Sequence, residues 1–553
     1  MDLRRWRLLC VLAVNFVFHG ICNSEKAPDY TFLHDAESAP SVSFHDYIVI
    51  GGGTSGCALA ATLSGGATVL VLERGGSPYG NRNIEDMANF NVNLVDTGPN
   101  SPSQQFVSED GVLNTRARVL GGGSALNAGF YTRASKDYVK EAGWDEKLVE
   151  ESYEWVERKV AFRPPVLGWQ SAVRDGLVEA GVTPDHGFTY EHLVGTKVGG
   201  TIFNRSGHRH TAANLLEYAQ PNSIDVRLFA TVHKILFSTV GERRPRAYGV
   251  IFEDKEGKMH GAYLRKKTGN EIIVSAGAMG SPQVLMLSGI GPGQHLKDHG
   301  LKVVLDQPMV GQGMADNPMN ALFVPSRRPV EISLIQVVGI TRFGSYIETS
   351  SGSGFGNQIG RPGMMPPPVR GFVNSSQQGG FILEKIKGPI SKGHLELRTT
   401  SPKHNPSVTF NYFKHPEDLR RCVQGMKTII DVLNSQAMSS FRYEELPVET
   451  LISIMVASPV NLRPRHPTAA ISLKQFCIDT VMTIWHYHGG CQVGRVVDRD
   501  YKVIGVDSLR VVDGSTFSAS PGTNPQATVM MLGRYMGQKI LRERASNKVK
   551  TVK

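Results

Sequence analysis

The first clear pattern along this chain is a short β-branched apolar run, Asp46–Ile50. It leads into Gly51-Gly52-Gly53-Thr54-Ser55-Gly56 and then the small apolar stretch Cys57-Ala58-Leu59-Ala60-Ala61, the order of strand, glycine turn and helix. A second run, Thr68 to Leu72, ends at Glu73. Two such runs around one helix predict a β-α-β unit, which requires a right-handed crossover and a parallel sheet. Beyond Lys140 the pattern turns helical and polar, with Trp144 and Trp155 as anchors. Alternating segments from about Asp225 to Ala276 predict strands and hairpins, closing on Glu271-Ile272-Ile273-Val274 as a returning sheet strand. Residues 352–380, rich in Gly, Ser, Pro and Gln, bring few apolar groups to bury and predict a mobile loop. Asn524 and Pro525 suit a helix start, and Val529, Leu532, Met536 and Ile540 follow at near-helical spacing to predict a closing helix. No repeat of fixed period is present, which disfavours solenoids and propellers.

Length and charge narrow the class. At 553 residues the chain exceeds one ordinary domain of roughly 100–200 residues, so two or three cores are expected. The formal net charge is +10, but Lys and Arg are scattered without an aromatic-interleaved basic stripe, so no nucleic-acid partner is expected. Arg4, Arg5 and Arg7 precede an apolar run from Leu8 to Phe18, followed by small and polar residues. This predicts a cleaved signal peptide over residues 1–24 and a secreted protein, extracellular or in the cell wall. The run is shorter than the ~20 apolar residues of a membrane span, so no integral membrane association is expected. Sequons at Asn204 and Asn374 are glycosylation candidates. Six cysteines are too few for a disulfide scaffold, although an oxidising compartment permits a bridge. No metal site is expected.

The chemistry begins at the glycine turn. Gly51, Gly53 and Gly56 match the dinucleotide motif, in which the first glycine turns the chain, the second admits the pyrophosphate and the third admits close helix packing. The helix amino end favours phosphate, and Glu73 follows at the spacing of the ribose-hydroxyl acceptor. NAD and FAD both use this arrangement.

Three further motifs bear on that choice. They are Ala117-Arg118-Val119-Leu120-Gly121-Gly122-Gly123-Ser124-Ala125-Leu126-Asn127, the fifteen residues Gly277 to Gly291, and Trp485-His486-Tyr487-His488-Gly489-Gly490 with Val511-Val512-Asp513-Gly514-Ser515 and Gly522-Thr523-Asn524-Pro525-Gln526 behind it. Together they resemble the signatures of the glucose-methanol-choline (GMC) oxidoreductases, with the nearest likeness to HOTHEAD-like and mandelonitrile-lyase-like plant members. The resemblance implies an α/β fold: a discontinuous Rossmann-like FAD-binding domain (residues 44–135, 195–318 and 480–545) and an α+β substrate domain on an antiparallel sheet (residues 136–194 and 319–479). It implies FAD contacts from Gly51, Gly53, Thr54, Ser55, Gly56, Glu73, Arg74, Val119, Gly123, Ser124, Asn127, Ala128, Gly129, Phe130 and Val232. It implies the same of Trp485, His486, Asp513, Gly514, Asn524, Pro525 and Gln526. Leu126 stands where some members attach the flavin through a histidine, so the FAD is expected to be noncovalent. A disulfide between Cys422 and Cys477 is implied by the lyase-like relatives.

The same resemblance makes His486 the proton acceptor in alcohol oxidation, because an imidazole titrates near the working pH. In a regular strand His488 shares its face, so spacing alone does not choose between them. Asn524 matches the second active-site position and is able to hold a substrate oxygen, or serves only to cap the last helix. Where the lyases carry a histidine, a tyrosine and a cysteine, this chain has Asn524, Ile484 and Ile347, which predicts an apolar pocket for a small-molecule alcohol. The HOTHEAD-like members point to long-chain ω-hydroxy fatty acids. A hydroxynitrile lyase with a redox-silent FAD, a flavin kept for binding alone, and an NAD dehydrogenase are the alternatives.

Overall fold

A computed structural model describes residues 27–96, 98, 100–353 and 378–552. The expected signal peptide, with Cys10 and Cys22, the sequon at Asn374 and most of the 352–380 loop lie outside the described residues.

Six strands form a wholly parallel sheet in the order Leu33–Asp35, Ile224–Leu228, Val69–Leu72, Tyr47–Ile50, Glu271–Val274 and Leu509–Val511. The three central strands are buried at every position, as their continuous apolar runs require in a sheet covered on both faces. The helix Gly56–Leu63 follows the first glycine turn and is buried throughout. Against it lies the closing helix Gln526–Val552. Gly533 and Gly537 permit that approach: a Cβ on Gly533 would meet Ser55 O at 2.3 Å, and one on Gly537 would meet the Thr62 side chain at 2.7 Å. A smaller sheet, Thr231–Ser238, Arg246–Glu253, Met259–Leu264 and Val42–His45, flanks this layer.

The second large sheet has seven strands in the order Met482–Thr483, Pro318–Pro325, Gln378–Ile386, Ser345–Ser353, Val337–Ile340, Gly195–Val198 and Asp185–Phe188. Every pairing is antiparallel except the last. The helices Gly168–Glu179 and Pro416–Leu433 pack on one face of it. Two segments expected in the dinucleotide part, Gly195–Val198 and Met482–Thr483, are hydrogen-bonded into this sheet. The Cys422–Cys477 bridge is present, with Cα atoms 6.3 Å apart, and ties Pro416–Leu433 to the helix Leu473–Asp479.

Candidate active site

A cleft with about 1900 Å³ of unfilled space, part of it open to solvent, runs across the carboxyl ends of the parallel strands. Ligands of open α/β sheets bind at this edge. The turns after four strands line it: Gly51 and Gly53, Glu73 and Arg74, Ser275 to Gly277, and Asp513 with Gly514. Gly51 has φ +100° and a Cβ there would lie 2.5 Å from Ser275 O, so this turn requires glycine. Gly56 is absent from the wall, and its Cβ would lie 2.0 Å from Gly51 O. It is therefore the packing glycine of the motif.

The remaining glycines report on what fills the cleft. A Cβ on Gly123 would meet no protein atom within 4 Å, and one on Gly53 only atoms at 3.7 Å and beyond. Neither has a positive φ, so the protein's own packing does not demand glycine at either position. A ligand lying against the backbone does, and a dinucleotide fits. Glu73 is buried and accepts from Gly52 N (3.0 Å) and Gly75 N (2.8 Å), although burial pushes its carboxyl above the ordinary range. Asp513 joins two of the motifs by accepting from Gly277 N (2.9 Å), Ser281 Oγ and Ser515 N (2.8 Å). Asn127 Nδ2 donates to Gln526 Oε1 (2.8 Å), whose amide donates to Phe130 O (2.6 Å), fixing the 126–130 wall to the start of the last helix. Val119, Ser124, Leu126, Ala128, Gly129, Val232 and Pro525 also line the cleft, as do Thr54 and Ser55.

At the other end of the cleft stand Ile484, Trp485, His486 and Asn524. Trp485 has φ +59°, an unfavourable conformation for a bulky side chain. It is held by Thr483 Oγ1, which accepts from Trp485 N (2.8 Å), and by Asp316 Oδ1, which accepts from His486 N (3.0 Å). Asp316 is 1% exposed, and its Oδ2 accepts from Tyr412 Oη and from Thr483 Oγ1 (2.7 Å). Burial outweighs these donors and pushes its carboxyl up to about 6. The His486 ring is fixed through Nδ1, which lies 3.2 Å from Tyr346 Oη and 3.3 Å from Asn317 Nδ2. Tyr346 Oη donates to Thr523 O (3.0 Å). Burial, with Lys385 and His488 nearby, holds the His486 imidazole well below its ordinary value. His488 does not line the cleft, and its Nδ1 lies 2.9 Å from His486 O. Residues 486 and 487 lie outside any strand, so the two histidines that a regular strand would place together are not held on one face.

One expectation is corrected. Ile347 is buried but does not line the cleft. Its neighbours Tyr346 and Glu348 carry the cleft-facing side of the strand, and alternation turns Ile347 to the helix-covered face. The cleft wall is mainly apolar, with Glu348 and Lys385 buried behind it. Asn524 Oδ1 is buried without a hydrogen-bond partner among the described residues, so its side chain does not cap the helix; Pro525 O instead accepts from Val529 N (2.9 Å). Sequence reasoning missed Asp316, Asn317, Tyr346, Glu348 and Lys385. The signal available for the last two was a charged residue inside each of two apolar strand runs, Tyr346-Ile347-Glu348 and Ile382-Leu383-Glu384-Lys385-Ile386.

Comparison with known proteins agrees with this geometry. The sequence profile of the GMC oxidoreductases matches residues 45–319 with its N-terminal part and 389–533 with its C-terminal part. The chain is 52% identical to Protein HOTHEAD of Arabidopsis thaliana, over 94% of this chain and 93% of that protein. It is 48% identical to an (R)-mandelonitrile lyase-like protein of the same plant, over 93% and 92%. It is 45% identical to a sinapyl alcohol oxidase of Nesocodon mauritianus, over 93% and 92%. A solved formate oxidase shares the fold with a TM-score of 0.75 at 18% identity, covering 92% of this chain and 100% of its own.

Proposed function

The chain belongs to the GMC oxidoreductase family and is an FAD oxidoreductase, and from that premise we propose that it oxidises CH–OH groups of small-molecule alcohols with His486 as the proton acceptor. The observation that carries this reading is the His486 ring. Nδ1 lies 3.2 Å from Tyr346 Oη, while Nε2 has no protein partner among the described residues and the residue faces the cleft. A base must offer a lone pair at the reacting hydroxyl. With the ring hydrogen on Nδ1, Tyr346 Oη is placed to accept it, its own hydrogen being donated to Thr523 O, and the Asn317 amide nitrogen, which only donates, bonds Tyr346 Oη and Ser520 Oγ instead. Nε2 then takes the hydroxyl proton, and Asn524, which also lines the cleft, would steady the oxygen left behind through its amide NH2. Bound FAD supplies the acceptor for the hydride that leaves the carbinol carbon. A base held neutral by burial suits this step, because it is already unprotonated at neutral pH.

The flavin is held noncovalently in this reading, because Leu126 lines the cleft and offers no atom for a bond to it. Yellow colour retained in an acid-precipitated pellet would show otherwise. The sequence likeness favours long-chain ω-hydroxy fatty acids as donors, and the mainly apolar cleft is compatible with them. Secretion is supported by the leader pattern and by the disulfide; no helix among the described residues is long and apolar enough to cross a membrane. Asn204, half-buried in a turn, is retained as a glycosylation candidate.

The test is anaerobic mixing of purified holoenzyme with a panel of alcohols. Bleaching of the flavin is expected with at least one of them. Brisk cyanide release from a cyanohydrin, with no bleaching by any alcohol, would assign the lyase activity instead. Asn524 and Ile484 weigh against that outcome; Ile347, turned away from the cleft, no longer does.

A further inference from the structure

The small four-stranded sheet beside the parallel layer turns one face to solvent, and that face carries aromatic rings. Residues paired directly across strands share a face, so the register sets Leu236, Gly249, Tyr263 and Phe44 in one row and Lys234, Ile251, Gly261 and Val42 in the next. Phe44 is 55% exposed and Val42 53%. Two glycines fix how the middle ring lies. A Cβ on Gly249 would stand 2.6 Å from Tyr263 Cδ1, and one on Gly261 would stand 2.9 Å from Tyr263 Cε2 and Oη. Neither glycine has a positive φ, so it is the ring that requires them. The half-buried Tyr263 ring is therefore spread flat over both, one face on the sheet and the other outward.

Its neighbours extend the surface. Tyr248 is skipped by the pairing, which passes from Leu236–Gly249 to Phe237–Ala247, and this bulge turns it outward, 41% exposed. The Tyr248 ring lies 6.2 Å from Tyr263 and within 14° of parallel to it; Phe44, on the strand at the other side of Tyr263, lies 5.8 Å away at 34°. The surroundings are basic. Lys234, Arg243, Arg244, Lys258, Lys266 and Lys267 are exposed on this sheet and in the turns at its strand ends, and none makes an ion pair among the described residues. Of the acids there, Glu242 pairs with Arg246 and Glu253 with Lys403, which leaves Glu256.

This combination selects its occupant. Insertion into a membrane needs apolar side chains that sink below the headgroups, and rings lying flat on a sheet do not. A sugar ring has the matching shape, because the C–H bonds on one side of a pyranose make an apolar, weakly positive surface that packs on the negative face of an aromatic ring. Carboxylates on such sugars would meet the surrounding cations. We propose that the outer face of this sheet binds an acidic polysaccharide, a polyuronate, whose sugars stack on Phe44, Tyr263 and Tyr248 while lysines and arginines around them meet its carboxylates. None of the three rings lines the active-site cleft, so the site is independent of the reaction read for His486.

The experiment measures equilibrium binding of the holoenzyme to polygalacturonate, with polyglutamate, oligothymidylate and phosphatidylserine vesicles as competitors for the assignment. At 0.15 M salt, where charges beyond about 8 Å are largely screened, polygalacturonate is expected to bind about 10-fold or more tighter than polyglutamate, since a few ring contacts together contribute a decade or more in affinity. The variant Phe44→Ser with Tyr248→Ser alters exposed side chains only. It should lose that margin while flavin content, thermal unfolding and flavin reduction stay native. The variant Lys266→Gln with Lys267→Gln leaves the rings in place and should weaken polygalacturonate binding. Absence of binding, equal affinity for polyglutamate, or a margin that survives loss of the two rings overturns the proposal. Tighter binding to oligothymidylate or to the vesicles overturns it as well, by assigning the face to a nucleic acid or a lipid surface.

Discussion

Asp316→Asn is the substitution with the sharpest expected outcome. Asp316 grips the backbone of the turn that presents His486, through Oδ1 to His486 N at 3.0 Å, and is gripped in turn by Tyr412 and Thr483. Its carboxyl is pushed from an ordinary 3.8 up to about 6 because burial penalises the charge. The sign follows from linkage: a carboxyl whose folded value is raised favours the fold when protonated, and that contribution is lost as pH rises from about 4 through about 6. At about 1.4 kcal/mol per pH unit, the ionised side chain costs the fold about 3 kcal/mol at pH 7. A neutral isostere escapes this cost but loses part of the hydrogen bonding, about 1–2 kcal/mol where an amide hydrogen faces two hydroxyls. The variant should therefore be as stable as the native protein at pH 7, or slightly more so. Its chemistry should suffer, because the strained Trp485 backbone is held less firmly, and a displacement of about 1 Å at a base costs about 10²-fold. The assay pairs thermal unfolding with anaerobic flavin reduction at pH 7. A variant that reduces its flavin at the native rate, or one that is slow and also several kcal/mol less stable, would refute this account of Asp316.

Replacing His486 with Ala should slow flavin reduction by roughly 10²–10⁴-fold, the range of general base catalysis, with flavin content unchanged; a full native rate would remove His486 from the chemistry. Removing the Cys422–Cys477 bridge opens a loop of 55 residues, and the double Cys→Ser variant should lose about 4 kcal/mol in chemical denaturation; a loss near zero would show that the bridge constrains little. Gly123→Ala adds a methyl group that meets no protein atom, so the apoprotein should unfold at the native temperature while FAD titration shows at least a roughly 10-fold weaker affinity; unchanged affinity would place the cofactor elsewhere. Burial holds His488 down to about 4, so below the ordinary value of 6.5 the unfolded chain takes up a proton that the fold refuses. Stability should then fall by up to about 1.4 kcal/mol per pH unit between about 6.5 and 4 on its account, and His488→Gln should flatten that slope.

The parallel sheet and the glycine turn were legible because they obey local rules: continuous apolar strands, a turn that only glycine permits, and an acid at fixed spacing. The end of the cleft near His486 was less so. Trp485 adopts a left-handed backbone that no alternation pattern encodes, and His486 and Tyr487 lie outside any strand, so strand alternation does not apply to His486 and His488. Ile347 was assigned to the pocket by position along the chain, but in a strand a shift of one residue reverses the face. Tyr346, Glu348 and Lys385 come together across two strands, with Lys385 37 residues beyond Glu348 in sequence, so their meeting is a matter of register. Asn317 and Asp316 approach His486 from about 170 residues away, and no local signal carries such a contact.

The closing helix, wedged by Gly533 and Gly537 against the helix that follows the first glycine turn, also constrains the order of biosynthesis. Residues 51–56 emerge from the ribosome well before Leu509–Val511 and Gln526–Val552. At roughly 5–20 residues per second, the nascent turn waits on the order of half a minute or longer for the parts that complete its surroundings. The cleft is thus complete only once these later segments are made, and a chain truncated before Leu509 would have an exposed sheet edge and an open cleft.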